Sequence, residues 1–173
     1  MILPETRFRI QAWVQGALAV ALCLALFVVA SAAAETAKEN VLTEHVTGTF
    51  EVKVVPESIT GKAPVPGMMQ MSIDKTFHGD LDGTSKGSML TAGDPKAGEA
   101  GYVALEVVTG TLKGRAGSFA LMQRATMSGG GQAMEVSVVP GSGTGALKGI
   151  AGTFVIRIES GKHTYDFDYT LPK

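Results

Sequence analysis

The sequence predicts an all-β protein, a single antiparallel β-barrel of about eight strands preceded by a signal-peptide helix, and three observations carry that prediction. Beyond an apolar leader and a polar lead-in, no stretch free of Gly and Pro exceeds 11 residues, which leaves little room for helices of ordinary length. Eight segments between those breaks largely alternate apolar and polar side chains with a period of two, the pattern of a half-buried strand. Short antiparallel strands in series leave two unpaired edges, and eight of them remove both most simply by closing on themselves.

The leader comes first. Arg7 and Arg9 supply a positive start, Gly16 to Ala30 is an uninterrupted apolar run of 15, and Ala32-Ala33-Ala34 is the small-x-small pattern of a signal peptidase site. Cleavage is expected after Ala34, with Ala32 the neighbouring choice. The rival is an uncleaved anchor, since Ala12, Trp13 and Val14 would extend the run toward the roughly 20 residues of a membrane span. Leu22 before Cys23 argues against lipid attachment, and Phe8 splits the two arginines, so no twin-arginine pair exists. The expected organisation is a signal peptide over 1–34, a flexible lead-in over 35–45 and a barrel over 46–173, exported to the periplasm or secreted. Membrane contact is expected only through an uncleaved leader.

The whole chain carries 15 Lys+Arg against 16 Asp+Glu, a formal charge of −1. That balance excludes nucleic-acid binding that works by neutralising phosphates. Losing the leader removes two Arg, one Glu, one Gly and the lone Cys23, and leaves 139 residues with 21 Gly and no Cys. No disulfide can then hold the fold, and thiol, iron–sulfur and cysteine–zinc chemistry go with it. A core alone suffices at this length, because a chain near 150 residues buries roughly 68–70% of its unfolded surface.

The strand candidates are 46–55, 68–78, 82–92, 101–113, 116–128, 132–140, 151–160 and 162–171. The last is the clearest: His163, Tyr165, Phe167, Tyr169 and Leu171 share one face, and Thr164, Asp166, Asp168 and Thr170 the other. In the second, Met69, Met71, Ile73 and Phe77 oppose Gln70, Ser72, Asp74, Thr76 and His78. Ser160-Gly161 and Gly129-Gly130-Gly131 read as tight connections, and Thr60 to Gly67, with Pro64 and Pro66, as the longest loop. An internal echo links GTLKGRAGSFAL at 110–121 to GALKGIAGTFVI at 145–156, with a weaker copy at Gly79, Leu81 and Gly83. It reads as one barrel-corner solution used twice rather than a phosphate cradle, since no helix follows either copy.

Several segments together resemble one family: Met71-Ser72-Ile73-Asp74-Lys75 with Phe77, His78-Gly79-Asp80-Leu81, Gly83-Thr84-Ser85-Lys86-Gly87, Gly101-Tyr102-Val103-Ala104-Leu105-Glu106, Thr109-Gly110-Thr111-Leu112-Lys113-Gly114-Arg115, Val138 to Gly145, and the ending Gly161 to Tyr169. The combination resembles the bacterial domain-of-unknown-function family 3224 over residues 46–171. The resemblance implies a small antiparallel barrel akin to allene oxide cyclase and dirigent proteins, and it implies no established activity. Many members lack a leader, and many carry Gln-His where this chain has Met122-Gln123.

Most chemistry-bearing strings lose their meaning on strands. Gly83-Thr84-Ser85-Lys86-Gly87 fits the G-x-S-x-G nucleophile-elbow string, but the elbow needs a strand-to-helix turn on a large α/β sheet. Ser72-Ile73-Asp74-Lys75 fits S-x-x-K, yet those two side chains face opposite sides of a strand. His45, His78 and His163 have no second ligand at a recognisable spacing, and Asp80 and Asp82 lack the rest of a calcium loop, so no metal and no cofactor is expected. Asp166 and Asp168 read as a solvated outer pair.

Four residues stand as ligand-binding candidates: Lys75, Tyr102, Glu106 and Gln123. Lys75 shares parity with Ile73 and Phe77, and Gln123 with Phe119 and Leu121, so both point inward if those apolar rows do. Glu106 shares parity with Tyr102 and Ala104, but Val103, Leu105 and Val107 make the opposite face equally apolar, and either face could be inside. A Lys75–Glu106 pair in an apolar cavity would form a site; in the competing reading Lys75 reaches out at a strand end and Glu106 faces solvent. The methionines Met68, Met69 and Met71 suit either a variable apolar ligand or ordinary core filling. Three functions follow: a barrel holding a small hydrophobic ligand, a cyclase- or isomerase-like enzyme with catalytic residues unknown, or a homo-oligomeric structural module.

Overall fold

The computed structural model describes residues 42–58 and 66–172, so the signal-peptide helix, the lead-in before Leu42 and most of the 60–67 loop lie outside the described residues. Eight strands follow in order: β1 (Glu44–Glu57), β2 (Met68–Gly79), β3 (Leu81–Asp94), β4 (Glu99–Leu112), β5 (Arg115–Ser128), β6 (Gly131–Val138), β7 (Ala151–Glu159) and β8 (Lys162–Thr170). Each pairs antiparallel with its neighbours in sequence, and β8 returns to β1, closing the barrel. The strand boundaries fall within three residues of the expected ones. β1 starts at Glu44, inside the expected lead-in, and β6 stops at Val138, short of Pro140, which has no N–H to give a ladder.

Three connections are two-residue turns with both residues left-handed: Lys113-Gly114 (φ 47°, 77°), Gly129-Gly130 (58°, 79°) and Ser160-Gly161 (51°, 78°). This geometry carries the right-handed twist of the flanking strands through the turn. The echo between 110–121 and 145–156 is not one turn used twice. Lys113 takes a positive φ in a tight hairpin, whereas Lys148 sits at φ −60° at the end of a short 3-10 turn over Gly145–Leu147. The repeat conserves packing instead: Leu112 and Leu147 are both buried, and Phe119 and Phe154 both stack on the Phe167 ring, at 5.9 and 4.0 Å between centroids.

Inward-facing residues are the even positions of β1, β4, β6 and β7 and the odd positions of β2, β3, β5 and β8. They fill the barrel unequally. At the end where β2 turns into β3 and β4 into β5, Phe77, Leu81, Val108, Leu112, Phe119, Tyr165, Phe167 and Tyr169 are almost fully buried, and the 139–150 connection closes the base with Leu147 and Ile150. The Tyr165 hydroxyl accepts the Leu81 N–H at 3.0 Å, and the Tyr169 hydroxyl donates to Glu44 at 2.8 Å and accepts from Arg115 at 3.1 Å. At the opposite end the rows leave the lumen. Met69 is 49% exposed and Met127 36%, so the buried odd-numbered rows of β2 and β5 stop short of those two residues.

The wall is also uneven. β4 and β5 stay in register from Ala100↔Met127 to Leu112↔Arg115, whereas β6 and β7 pair only at Val136↔Phe154 and Ser137↔Thr153.

Candidate functional site

Halfway along the barrel, four adjacent strands each send one polar side chain inward: Lys75 from β2, Ser85 from β3, Glu106 from β4 and Gln123 from β5. All four are buried, Lys75 at 5% exposure and Glu106 at 1%. Glu106 is the hub. Its Oε1 accepts from Lys75 Nζ at 2.5 Å and from Gln123 Nε2, and its Oε2 accepts from Ser85 Oγ at 2.5 Å. An ionised carboxylate only accepts, so the Gln123 amide must turn its NH2 toward Glu106 and its carbonyl oxygen away.

Register explains how the four meet. Gly87 lies beside Glu106 on β3, and Ser85 lies beside Lys75. Lys75 has to cross β3 to reach Glu106, and the small residues Ser85 and Gly87 leave the room. A Cβ on Gly87 would collide with the Leu105 carbonyl and with the Glu106 Cβ.

The electrostatics follow from burial. Burial pushes the Lys75 ammonium below the ordinary lysine range, and the Glu106 charge and hydrogen bond oppose that push. The ammonium also stands 5.2 Å from the Phe50 ring centroid, a favourable cation–π distance. Tyr102 is pushed above the usual phenol range, by burial first and by the Glu106 charge second.

A cavity of about 270 Å³ opens beyond this quartet toward the incompletely filled end. Val52, Val54, Ile73, Met89, Met134 and Ile156 make most of its apolar wall, with Tyr102 and His163 on its sides and Lys75 and Gln123 at its floor. Lys75, Glu106 and Gln123 are thus in direct contact, while Tyr102 stands on the wall without a side-chain hydrogen bond to them. The even face of β4 is the inner one; Val103, Leu105 and Val107 are 56%, 57% and 53% exposed on the outside. The reading with Lys75 and Glu106 in solvent is therefore overturned.

Sequence reasoning missed two residues. Ser85 is one: its elbow string carries no chemistry on a strand, and its small inward neighbours Gly83 and Gly87 give no apolar row to place it by. His163 was weighed only as a metal ligand, although it shares a face with Tyr165 and packs 5.0 Å from the Phe50 ring. The other two histidines are external: His45 meets Asp168 at 2.6 Å and Asp166 at 3.5 Å, and His78 meets Glu51 at 2.7 Å. Among the described residues no three His, Cys, Asp or Glu side chains cluster closely enough to hold a metal.

No curated protein matches the chain. A crystal structure of a protein with unknown function from the DUF3224 family of Shewanella oneidensis MR-1 is similar: 43% identical, with a TM-score of 0.69, over 76% of this chain and 100% of that one. The family described as protein of unknown function (DUF3224) matches residues 46–169. With most of its length and nearly all of its barrel inside that match, the chain belongs to the DUF3224 family.

Proposed function

We propose that the barrel holds a small, mainly apolar, uncharged molecule in the cavity beyond the polar quartet. The observation that carries this reading is the cavity itself, about 270 Å³ with an apolar wall and a floor where the Lys75 charge is neutralised by Glu106 behind it. That volume lies just below the ~300–1,000 Å³ of small-molecule sites. A buried ion pair is a poor stabiliser compared with apolar packing, so placing one at the floor of a cavity suits recognition better than it suits folding. With the Lys75 charge already balanced by Glu106, a second anion would enter without a counter-charge, and burying one is costly.

The test is uptake of N-phenyl-1-naphthylamine, an uncharged fluorophore, and its displacement by medium-chain ligands. Octanol is expected to displace it at least about tenfold more effectively than octanoate, the factor that ~1.4 kcal/mol of unpaired-charge penalty would give. No probe uptake, together with an empty protein by native mass spectrometry after exposure to lipid extracts, would overturn the reading.

A cyclase or isomerase akin to allene oxide cyclase is the second reading. It uses the same cavity and draws on Lys75 and Glu106 lying inside the barrel. The homo-oligomer reading uses the opposite surface and draws on the exposed Leu90, Val103, Leu105, Val107 and Met122 of β3–β5. Export with cleavage after Ala34 completes the proposal and would deliver the cavity to ligands outside the cytoplasm.

A further inference from the structure

Ligand retention leaves one nucleophile of the quartet unused. Lys75 Nζ has Glu106 Oε1 as its hydrogen-bond partner, and among the described residues its other two N–H bonds have none. Phe50, Lys75 and Gln123 line the cavity, whereas Glu106 and Ser85 do not. The amine therefore stands between the carboxylate and the space a ligand would fill. We infer that Lys75 captures the carbonyl carbon of an apolar aldehyde or ketone as a reversible Schiff base, with Glu106 as proton carrier and counter-ion. The inference rests on the cavity reading above and names the ligand class for it.

The chemistry balances within the pair. The Lys75 ammonium gives one proton to the Glu106 carboxylate, and the freed amine adds to the carbonyl carbon. A proton moves from nitrogen to the former carbonyl oxygen and leaves a neutral carbinolamine. Protonated Glu106 then donates to that hydroxyl, the C–O bond breaks, water departs, and the nitrogen lone pair forms the C=N bond. The product is an iminium facing a regenerated carboxylate. One positive and one negative charge occupy the same two places before and after, so the reaction imposes no new burial of charge. An exposed lysine has no such carboxylate and no dry wall to keep water from reversing the step. Burial, which already weakens the hold of Lys75 on its proton, works in the same direction.

The experiment mixes the protein with equimolar octanal and sodium cyanoborohydride at pH 7, and reads intact mass and then the modified peptide. The expected product is heavier by octanal less one oxygen atom and carries the label on Lys75. Labelling there is expected to be at least about tenfold faster than at any of the exposed Lys53, Lys86, Lys96, Lys113, Lys148 and Lys162. Lys75→Arg, which keeps the positive charge but cannot form an imine, is expected to lose the fast label. Glu106→Gln is expected to slow labelling at Lys75 by at least about tenfold. If octanal displaces the fluorophore while Lys75 reacts no faster than the surface lysines, the Schiff base is refuted and the cavity reading stands. If octanal neither displaces the fluorophore nor labels Lys75, both fall. The wild-type peptide map alone decides between these outcomes should a variant fail to fold.

Discussion

Removing Lys75 or Glu106 singly is expected to destabilise the barrel far more than removing both. Nζ and Oε1 lie 2.5 Å apart, with side chains 3% and 0% exposed. At an effective dielectric constant near 20 their attraction is worth about 7 kcal/mol, and taking each ion out of water costs several kcal/mol, so the intact pair nets little. Lys75→Met forfeits the attraction but leaves the Glu106 carboxylate buried, held only by Ser85 and Gln123, at a cost of about 3–5 kcal/mol. Glu106→Gln strands the ammonium at a similar cost near neutral pH. The double variant removes both charges and is expected within about 2 kcal/mol of wild type, giving a coupling energy of at least about 3 kcal/mol. Urea unfolding of the four proteins at pH 7, with unchanged m values, measures it. The pH dependence gives an independent check. In Glu106→Gln the folded-state pKa of Lys75 lies below its unfolded value, so the unfolded chain binds more protons and stability rises with pH between the two values; Lys75→Met has no such slope. Single variants within about 1 kcal/mol of wild type, or strictly additive effects, would refute the argument that this pair is buried and mutually dependent.

Two further outcomes follow from the barrel's construction. The Tyr169 phenol, fully buried and hydrogen-bonded to Glu44, is pushed from 10.0 up to about 12. A raised folded pKa favours the folded chain below pH 10, and that contribution is lost as pH climbs toward 12, roughly 2–3 kcal/mol in all; Tyr169→Phe is expected to flatten the alkaline slope seen by denaturant titration. Gly87→Ala is expected to destabilise by about 3 kcal/mol or more, because its Cβ meets backbone and the Glu106 Cβ rather than a movable side-chain tip; thermal unfolding would show it, and a near-neutral result would mean that β3 and β4 do not approach as closely as described.

The strands were legible because a period of two survives in any half-buried sheet, and β8, with Tyr165, Phe167 and Tyr169 against Thr164, Asp166 and Asp168, shows it without exception. Lys75 and Gln123 were legible by parity with apolar neighbours whose burial is unambiguous. The facing of Glu106 was not, because β4 is apolar on both sides and its outer Val103, Leu105 and Val107 stay exposed. Ser85 was hidden by the small inward residues of β3: Gly83, Ser85 and Gly87 offer no hydrophobic alternation, since their service is to leave space. The cavity was illegible for a different reason. It is a deficit of volume at one end of the barrel, summed over side chains from every strand, and no local pattern encodes a sum. The two copies of the 110–121 repeat misled about backbone because leucine and phenylalanine packing recurred while the turn did not.

The brief pairing of β6 with β7 has a consequence for access. Their ladder holds at Val136↔Phe154 and Ser137↔Thr153, next to the packed base. Further up, Gln132 and Met134 on one margin and Ile156 and Ile158 on the other face the cavity without a shared ladder between them. The barrel thus behaves as a sleeve with a partly unfastened side seam. A guest between those margins would meet only side chains, whereas across β4 and β5 it would meet a continuous run of backbone hydrogen bonds.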